Sequence, residues 1–346
     1  MRSSVDWAQT ERHEMTLRIG LLGCGRIGQV HARSITATTG VTLTAVADAL
    51  PEAAGALAQA TGAETRDTAA ILTAKDIDAV LIATPTDSHF DQIIAAAQNG
   101  KAIFCEKPVD MSVDNIRRLI DVVGRAGVPF LTGFNRRFDP SFAALRARLR
   151  GGAIGAVELA IITSRDPAPP PISYIERSGG LFRDMMIHDF DMARFLMGEE
   201  FVRLHAVGSA LVDPEIGAAG DVDTAAVTLT TATGRICQIS NSRRAAYGYD
   251  QRIEVHGALG MLRAENQLET TVELATDAGF ARDPAQHFFL ERYAAAYLAE
   301  MRAFVAAVTT GTPPDPDIED GLRAQILADA ATRSRETGQP VDLPPA

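Results

Sequence analysis

Residues 17–30 read LRIGLLGCGRIGQV, and this stretch decides the fold. Leu17–Leu22 is a continuous apolar run of the kind that forms a strand covered on both faces. Gly23-x-Gly25-x-x-Gly28 follows at once and opens a helical pattern from about Ile27 to Thr38. Each glycine has its own reason: Gly23 permits a tight turn, Gly25 lets a ligand approach the backbone, and Gly28 lets the helix pack on the strand. The helix N-terminus, with Arg26 and Ile27 in its first turn, offers unpaired N–H groups and a partial positive charge to a pyrophosphate. A second strand, Thr42–Ala47, ends at Asp48. That is about 20 residues past Gly28, where a carboxylate meets the adenosine ribose hydroxyls. Asp48 repels a 2′-phosphate and is followed by Ala49 rather than an arginine, so NAD is favoured over NADP.

Working outward, the same rhythm continues to about Thr132. Helical Leu50–Gln59, strand Ala79–Ala83, helical Ser88–Gln98, strand Ala102–Cys105, helical Asp114–Ala126 and strand Val128–Leu131 alternate. Such alternation implies an α/β fold with a parallel sheet, here a Rossmann domain over residues 17–135. In open parallel sheets ligands lie beyond the carboxyl ends of the strands. Thr84, Pro85 and His89 after one strand, and Glu106 and Lys107 after the next, therefore join the glycine turn as expected cofactor contacts.

The rhythm then changes. Helical Phe142–Leu149, strand Val157–Thr163, a Pro-rich loop at Arg165–Pro171 and one helix over Leu181–Met197 are expected. Strand-like runs then follow in succession: Val202–Ser209, Thr224–Thr231, Arg235–Asn241, Gln251–His256 and Met261–Ala264. Successive strands suggest a large, mostly antiparallel open sheet with helices on one side. Residues 136–346 are read as a substrate-binding and oligomerisation domain. Helices Tyr293–Val308 and Asp320–Ser334 close the chain, the last expected to return to the first domain. Residues 1–16 carry neither periodicity nor a secretion-signal core and are read as a flexible extension.

Composition narrows the function. The 346 residues carry 33 Lys and Arg against 44 Asp and Glu, a net charge of −11, which disfavours a generic nucleic-acid binder. Three cysteines make no disulfide framework, and no apolar run is long enough to span a membrane. A cytoplasmic protein is expected.

Asp184 and His188 lie four apart in SGGLFRDMMIHDFDMARFLMG, hence on one face of the expected helix, amid apolar neighbours. A carboxylate that near an imidazole can orient it and raise its basicity. Nothing else has metal-ligand spacing, so no metal is expected. Lys107 can orient a substrate hydroxyl and help move its proton.

Together Gly23-Cys24-Gly25-Arg26-Ile27-Gly28, Glu106-Lys107-Pro108 and Asp184-x-x-x-His188 resemble the Gfo/Idh/MocA oxidoreductase family. Ser164-Arg165-Asp166-Pro167, the string Ser178–Gly198 and Tyr247-Gly248-Tyr249-Asp250-Gln251-Arg252 look like its inositol and sugar dehydrogenase branch. The resemblance implies Lys107, Asp184 and His188 as the catalytic group. It also implies NAD as cofactor and a sheet used for dimer or tetramer assembly. Asn135, Arg136, Arg165, Asp166, Tyr247 and Tyr249 are further expected contacts for ring hydroxyls. The expected reaction is oxidation of a secondary hydroxyl of myo- or scyllo-inositol or a related sugar. The alternatives are an aldose 1-dehydrogenase forming a lactone, a glycosidase using bound NAD, and a non-catalytic sugar sensor.

Overall fold

The computed structural model describes residues 16–344, and the extension read over residues 1–16 lies, but for Thr16, outside them. Six parallel strands form the first sheet: β1 (Leu17–Leu22), β2 (Val41–Ala47), β3 (Glu64–Thr65), β4 (Ala79–Ile82), β5 (Ala102–Glu106) and β6 (Phe130–Gly133). Their order is β3-β2-β1-β4-β5-β6, the doubly wound Rossmann arrangement. The central strands β4 and β5 are buried along their whole length, as the apolar runs Ala79–Ile82 and Ala102–Cys105 require. The order in which the chain winds outward reverses between the parallel neighbours β1 and β4, and this switch point opens a crevice at the carboxyl ends, where the glycine turn lies.

The second sheet contains β7 (Val157–Arg165), β8 (Phe201–Ser209), β9 (Thr224–Thr231), β10 (Ile236–Ser242), β11 (Asp250–Gly257), β12 (Gly260–Ala264) and, after the hairpin β13 (Glu273–Thr276) and β14 (Gly279–Arg282), β15 (Val341–Asp342). Its order is β12-β11-β7-β10-β9-β8-β15. All its pairs are antiparallel except β7 with β10, so the mostly antiparallel sheet holds with one parallel pair at its centre. The strands alternate. Ala206, Val227, Leu229, Cys237, Ile239, Ile253 and Val255 face inward and share a core with Phe142, Leu145, Phe190, Leu196 and Leu327 from the covering helices.

Two closing helices tie the layers together. Helix 294–310 packs beside helix 26–36 on one face of the first sheet, where Met301, Phe304 and Val305 join its core and Phe304 lies edge-on to Phe104 of β5. Helix 318–337 begins in a capping box at Asp317 and inserts Ile318 and Leu322 beside β5 and helix 113–126. Thr132 fixes that entry: its N–H donates to Pro316 O at 3.0 Å and its hydroxyl to Asp317 O at 2.6 Å. Among the described residues no helix is long and apolar enough to cross a membrane.

Several expectations need correction. The helix read over Leu181–Met197 is two, Gly180–Asp184 and Ile187–Met197, interrupted at Met185 and Met186. Apolar residues continue across the break, so periodicity could not reveal it. The strand expected at Val128–Leu131 begins at Phe130 and ends at Gly133. The helix Ile172–Ser178, directly after the prolines, and the exposed β13–β14 hairpin lack a periodic signal and were not expected.

Candidate active site

The glycine turn is built as an anion cradle. Gly23 has φ +96°, and a Cβ there would lie 2.4 Å from Ala83 O. A Cβ on Gly28 would lie 1.9 Å from Gly23 O. Both glycines are thus required by the protein itself. Gly25 differs: φ is −67°, and a Cβ would meet no protein atom within 4 Å. The space beside it is open, which suits a ligand approaching the backbone. Helix 26–36 starts at Gly25 with no side-chain cap and no acidic residue in its first turn, leaving its N–H groups for an anion. Arg26 is exposed there and Ile27 half-buried. These features fit a dinucleotide pyrophosphate.

Asp48 also organises the turn. Its carboxylate accepts the Cys24 N–H at 2.6 Å and the Leu50 N–H at 2.8 Å, which fixes it at the end of β2 with lone pairs to spare. Cys24 is buried, and burial together with the Asp48 charge pushes its thiol up to about 11. His89 is 1% exposed, with ring nitrogens 2.9 Å from Thr84 O and 3.0 Å from Pro108 O. It therefore joins the two loops from beneath, and its contact with a cofactor would be indirect. Glu106 is likewise turned inward, against His31 Nε2 at 2.6 Å and the Lys107 N–H at 3.2 Å.

Lys107 leaves the end of β5 and crosses to the second domain. Its Nζ donates to Asp184 O at 2.8 Å and Asp184 Oδ1 at 3.3 Å. Asp184 also accepts from the Tyr174 hydroxyl at 2.9 Å. The expected Asp184–His188 hydrogen bond is absent. The helix break removes the continuous-helix spacing that predicted it, and the carboxylate is committed to Lys107 and Tyr174. His188 is half-buried, packed edge-on to Phe134, with Nδ1 buried and unpartnered. Desolvation, reinforced by the charges of Lys107 and Arg136, holds its pKa well below the ordinary value, so the ring is neutral near neutral pH. A neutral imidazole beside a lysine can accept a proton.

Asp166 sits near the same charges. Burial pushes its carboxyl up to about 6, against the pull of Arg243 and Arg136 and with the push of Asp184 and Asp189. Arg136 is buried rather than open to a ligand: it donates to Ser164 Oγ at 2.7 Å and Asp189 Oδ1 at 2.5 Å. Asn135 is buried with Nδ2 unpartnered. Arg165 and Tyr247 are not brought to Lys107 within this chain. Along β7, Arg165 points opposite to Ser164, donates to the Tyr247 hydroxyl at 3.0 Å and approaches Asp250. Tyr249 is buried, edge-on to Tyr293. Sequence reasoning missed Tyr174, Arg243 and Asp221. A short helix and a buried arginine leave no pattern, since charge alone does not tell depth.

Residues 17–134 match the oxidoreductase family with an NAD-binding Rossmann fold, and residues 142–263 match the GFO/IDH/MocA C-terminal domain. An inositol 2-dehydrogenase of Rhizobium meliloti (strain 1021) is 54% identical over 320 residues, spanning 92% of this chain and 97% of that protein. The crystal structure of a myo-inositol dehydrogenase from Corynebacterium glutamicum superposes with a TM-score of 0.92 at 44% identity, covering 96% of this chain and 100% of that one. A scyllo-inositol dehydrogenase from Lactobacillus casei, solved with NAD(H) and scyllo-inositol, gives 0.89 at 31% identity over 94% and 99% of the two chains. With a Rossmann sheet, a glycine cradle shaped for a dinucleotide and a lysine reaching across the crevice, the chain belongs to the Gfo/Idh/MocA oxidoreductases and is an NAD-dependent dehydrogenase.

Proposed function

We propose that the chain oxidises a secondary ring hydroxyl of myo- or scyllo-inositol. The observation that carries this reading is the meeting, across the crevice, of Lys107 with Asp184 beside a neutral His188. The inositol dehydrogenases among its relatives support the substrate class. Bound NAD supplies the hydride acceptor. His188 takes the hydroxyl proton, because desolvation keeps its ring unprotonated. Lys107 donates to the same oxygen and stabilises the charge that builds there. Asp184 holds the lysine amine in place. Asp166 accepts a hydrogen bond from a neighbouring ring hydroxyl.

The cofactor set is Gly23, Gly25, Arg26, Ile27, Gly28, Asp48, Thr84, Pro85 and Lys107, with His89 and Glu106 supporting it from beneath. We assign residues 17–135 to cofactor binding and 136–346 to substrate and assembly. The uncovered face of the second sheet exposes Val207, Ile236 and Met261, an apolar surface suited to a second copy of the chain. Light scattering that returns the monomer mass at micromolar concentration refutes that assignment.

The test of the reaction is a panel of inositols and aldoses with NAD, followed by NADH absorbance. Turnover of myo- or scyllo-inositol above every aldose supports the reading. Preference for an aldose with lactone as product replaces it with the 1-dehydrogenase. Cleavage of a glycoside without net NADH replaces it with the hydrolase.

A further inference from the structure

We infer that Arg243 is a positioning residue for this reaction: it holds the segment that presents Asp184 to Lys107. The inference rests on the reaction proposed above. Arg243 follows directly on β10 and is among the largest fully buried side chains of the protein, 1% exposed. Its Nη2 lies 3.6 Å from Asp184 Oδ2 and 3.8 Å from Asp221 Oδ2. Neither Nη2 nor Nε has a hydrogen-bond partner. A guanidinium this deep is costly unless carboxylates neutralise it, and these two are its ion-pair partners.

The two carboxylates grip opposite ends of one element. Asp221 accepts the Leu181 N–H at 3.0 and 3.1 Å and so caps the start of helix 180–184. Gly180, with φ +81°, closes on it so tightly that a Cβ would sit 2.7 Å from Asp221 Oδ1. Asp184 ends the same helix and carries Lys107. Arg243 therefore bridges the cap and the functional carboxylate from beneath.

Its own backbone is fixed. The Arg243 N–H donates to Asp223 O at 2.8 Å, and the Asp223 carboxylate gathers the N–H groups of Leu211, Val212 and Asp213 at 2.8, 2.8 and 3.0 Å. The cation is thus preorganised before substrate arrives. The charged and titratable groups around it are Asp184, Asp221, Asp166, Lys107, Arg136 and Tyr174.

The test compares Arg243→Met, Arg243→Lys and Asp221→Asn as full-length protein, with melting temperatures to establish folding. Misplacing a reacting group by about 1 Å costs on the order of 10²-fold, so R243M is expected to lose roughly 10- to 100-fold in kcat, with KM for NAD unchanged. Loss of the cation also moves the acid limb of kcat/KM to higher pH, because the Arg243 charge no longer pulls the Asp166 carboxyl down. R243K restores most of kcat and the position of the limb. Asp221→Asn, which weakens the cap, gives a smaller loss of kcat with the limb in place. A folded R243M with wild-type kcat and pH profile overturns the inference. So does an R243K as impaired as R243M with an unmoved limb, which would mean packing alone. Where R243M fails to fold, a folded D221N with wild-type kcat overturns it. Wild-type protein that yields no NADH with any polyol overturns the reaction itself, an outcome separate from these.

Discussion

The glycine turn offers a sharp separation between what the protein needs and what its cofactor needs. A Cβ at Gly28 would sit 1.9 Å from Gly23 O, whereas ordinary contact begins near 3.4 Å, so the turn and helix 26–36 must part by about 1.5 Å. Overpacking of that kind costs about 1–3 kcal/mol. Gly28→Ala should therefore lower the melting temperature of the cofactor-free protein by several degrees. At Gly25 the same methyl group meets nothing within 4 Å, and φ of −67° suits any residue. Gly25→Ala should leave that melting temperature within about a degree of wild type, a change below ~0.5 kcal/mol. Its cost falls on the ligand, which must approach the backbone where the methyl now stands, and a loss of about 1.4 kcal/mol or more is at least tenfold in Kd. Melting curves without NAD and calorimetric titration with it read the two effects separately. Gly25→Ala protein that binds NAD as wild type does, or that melts as low as Gly28→Ala, refutes the placement of the pyrophosphate at this turn.

Three further outcomes follow from the site. His188→Ala should cut kcat by about 10²–10⁴-fold with NAD affinity retained, and near wild-type turnover would remove the imidazole from the mechanism. Because Asp166 is pushed up to about 6, kcat/KM should fall as pH drops through that value and the carboxylate gains a proton; the limb should vanish in Asp166→Asn, and a limb unchanged in that variant assigns it elsewhere. Arg136→Met leaves Asp189 buried without its cation, a loss of about 3–5 kcal/mol; chemical denaturation should register it, and Asp189→Asn in the same chain should restore much of it.

The Rossmann half was legible because its signals are local. Apolar runs of four to six residues, a glycine triplet and an acid at the next strand end each report on their own neighbourhood, and β1, β2, β4 and β5 lie within a residue or so of their expected positions. The second sheet was legible as a succession of alternating strands, but its order was not. Pairing β7 with β10 in parallel is a long-range choice that no local pattern encodes. In the site, the expected group of Lys107, Asp184 and His188 is joined differently: Lys107 meets Asp184, and the expected Asp184–His188 contact does not form. Spacing of four implies contact only on an unbroken helix, and the break at Met185–Met186 turns Asp184 toward Lys107 and Tyr174 instead. Arg136 and Arg243 show the complementary failure. The sequence offers Arg136 as a contact for ring hydroxyls and does not single out Arg243, and depth decides that one braces Ser164 and Asp189 while the other lies beneath Asp184.

Direct hydride transfer from a ring carbon is the central claim. It is tested most directly by supplying inositol deuterated at the reacting carbon, with NAD, and analysing the nicotinamide product by mass spectrometry. The account predicts NADH carrying one deuterium, formed together with one equivalent of the ketone. Product without deuterium, or conversion of a sugar with no reduced nicotinamide at all, would contradict it.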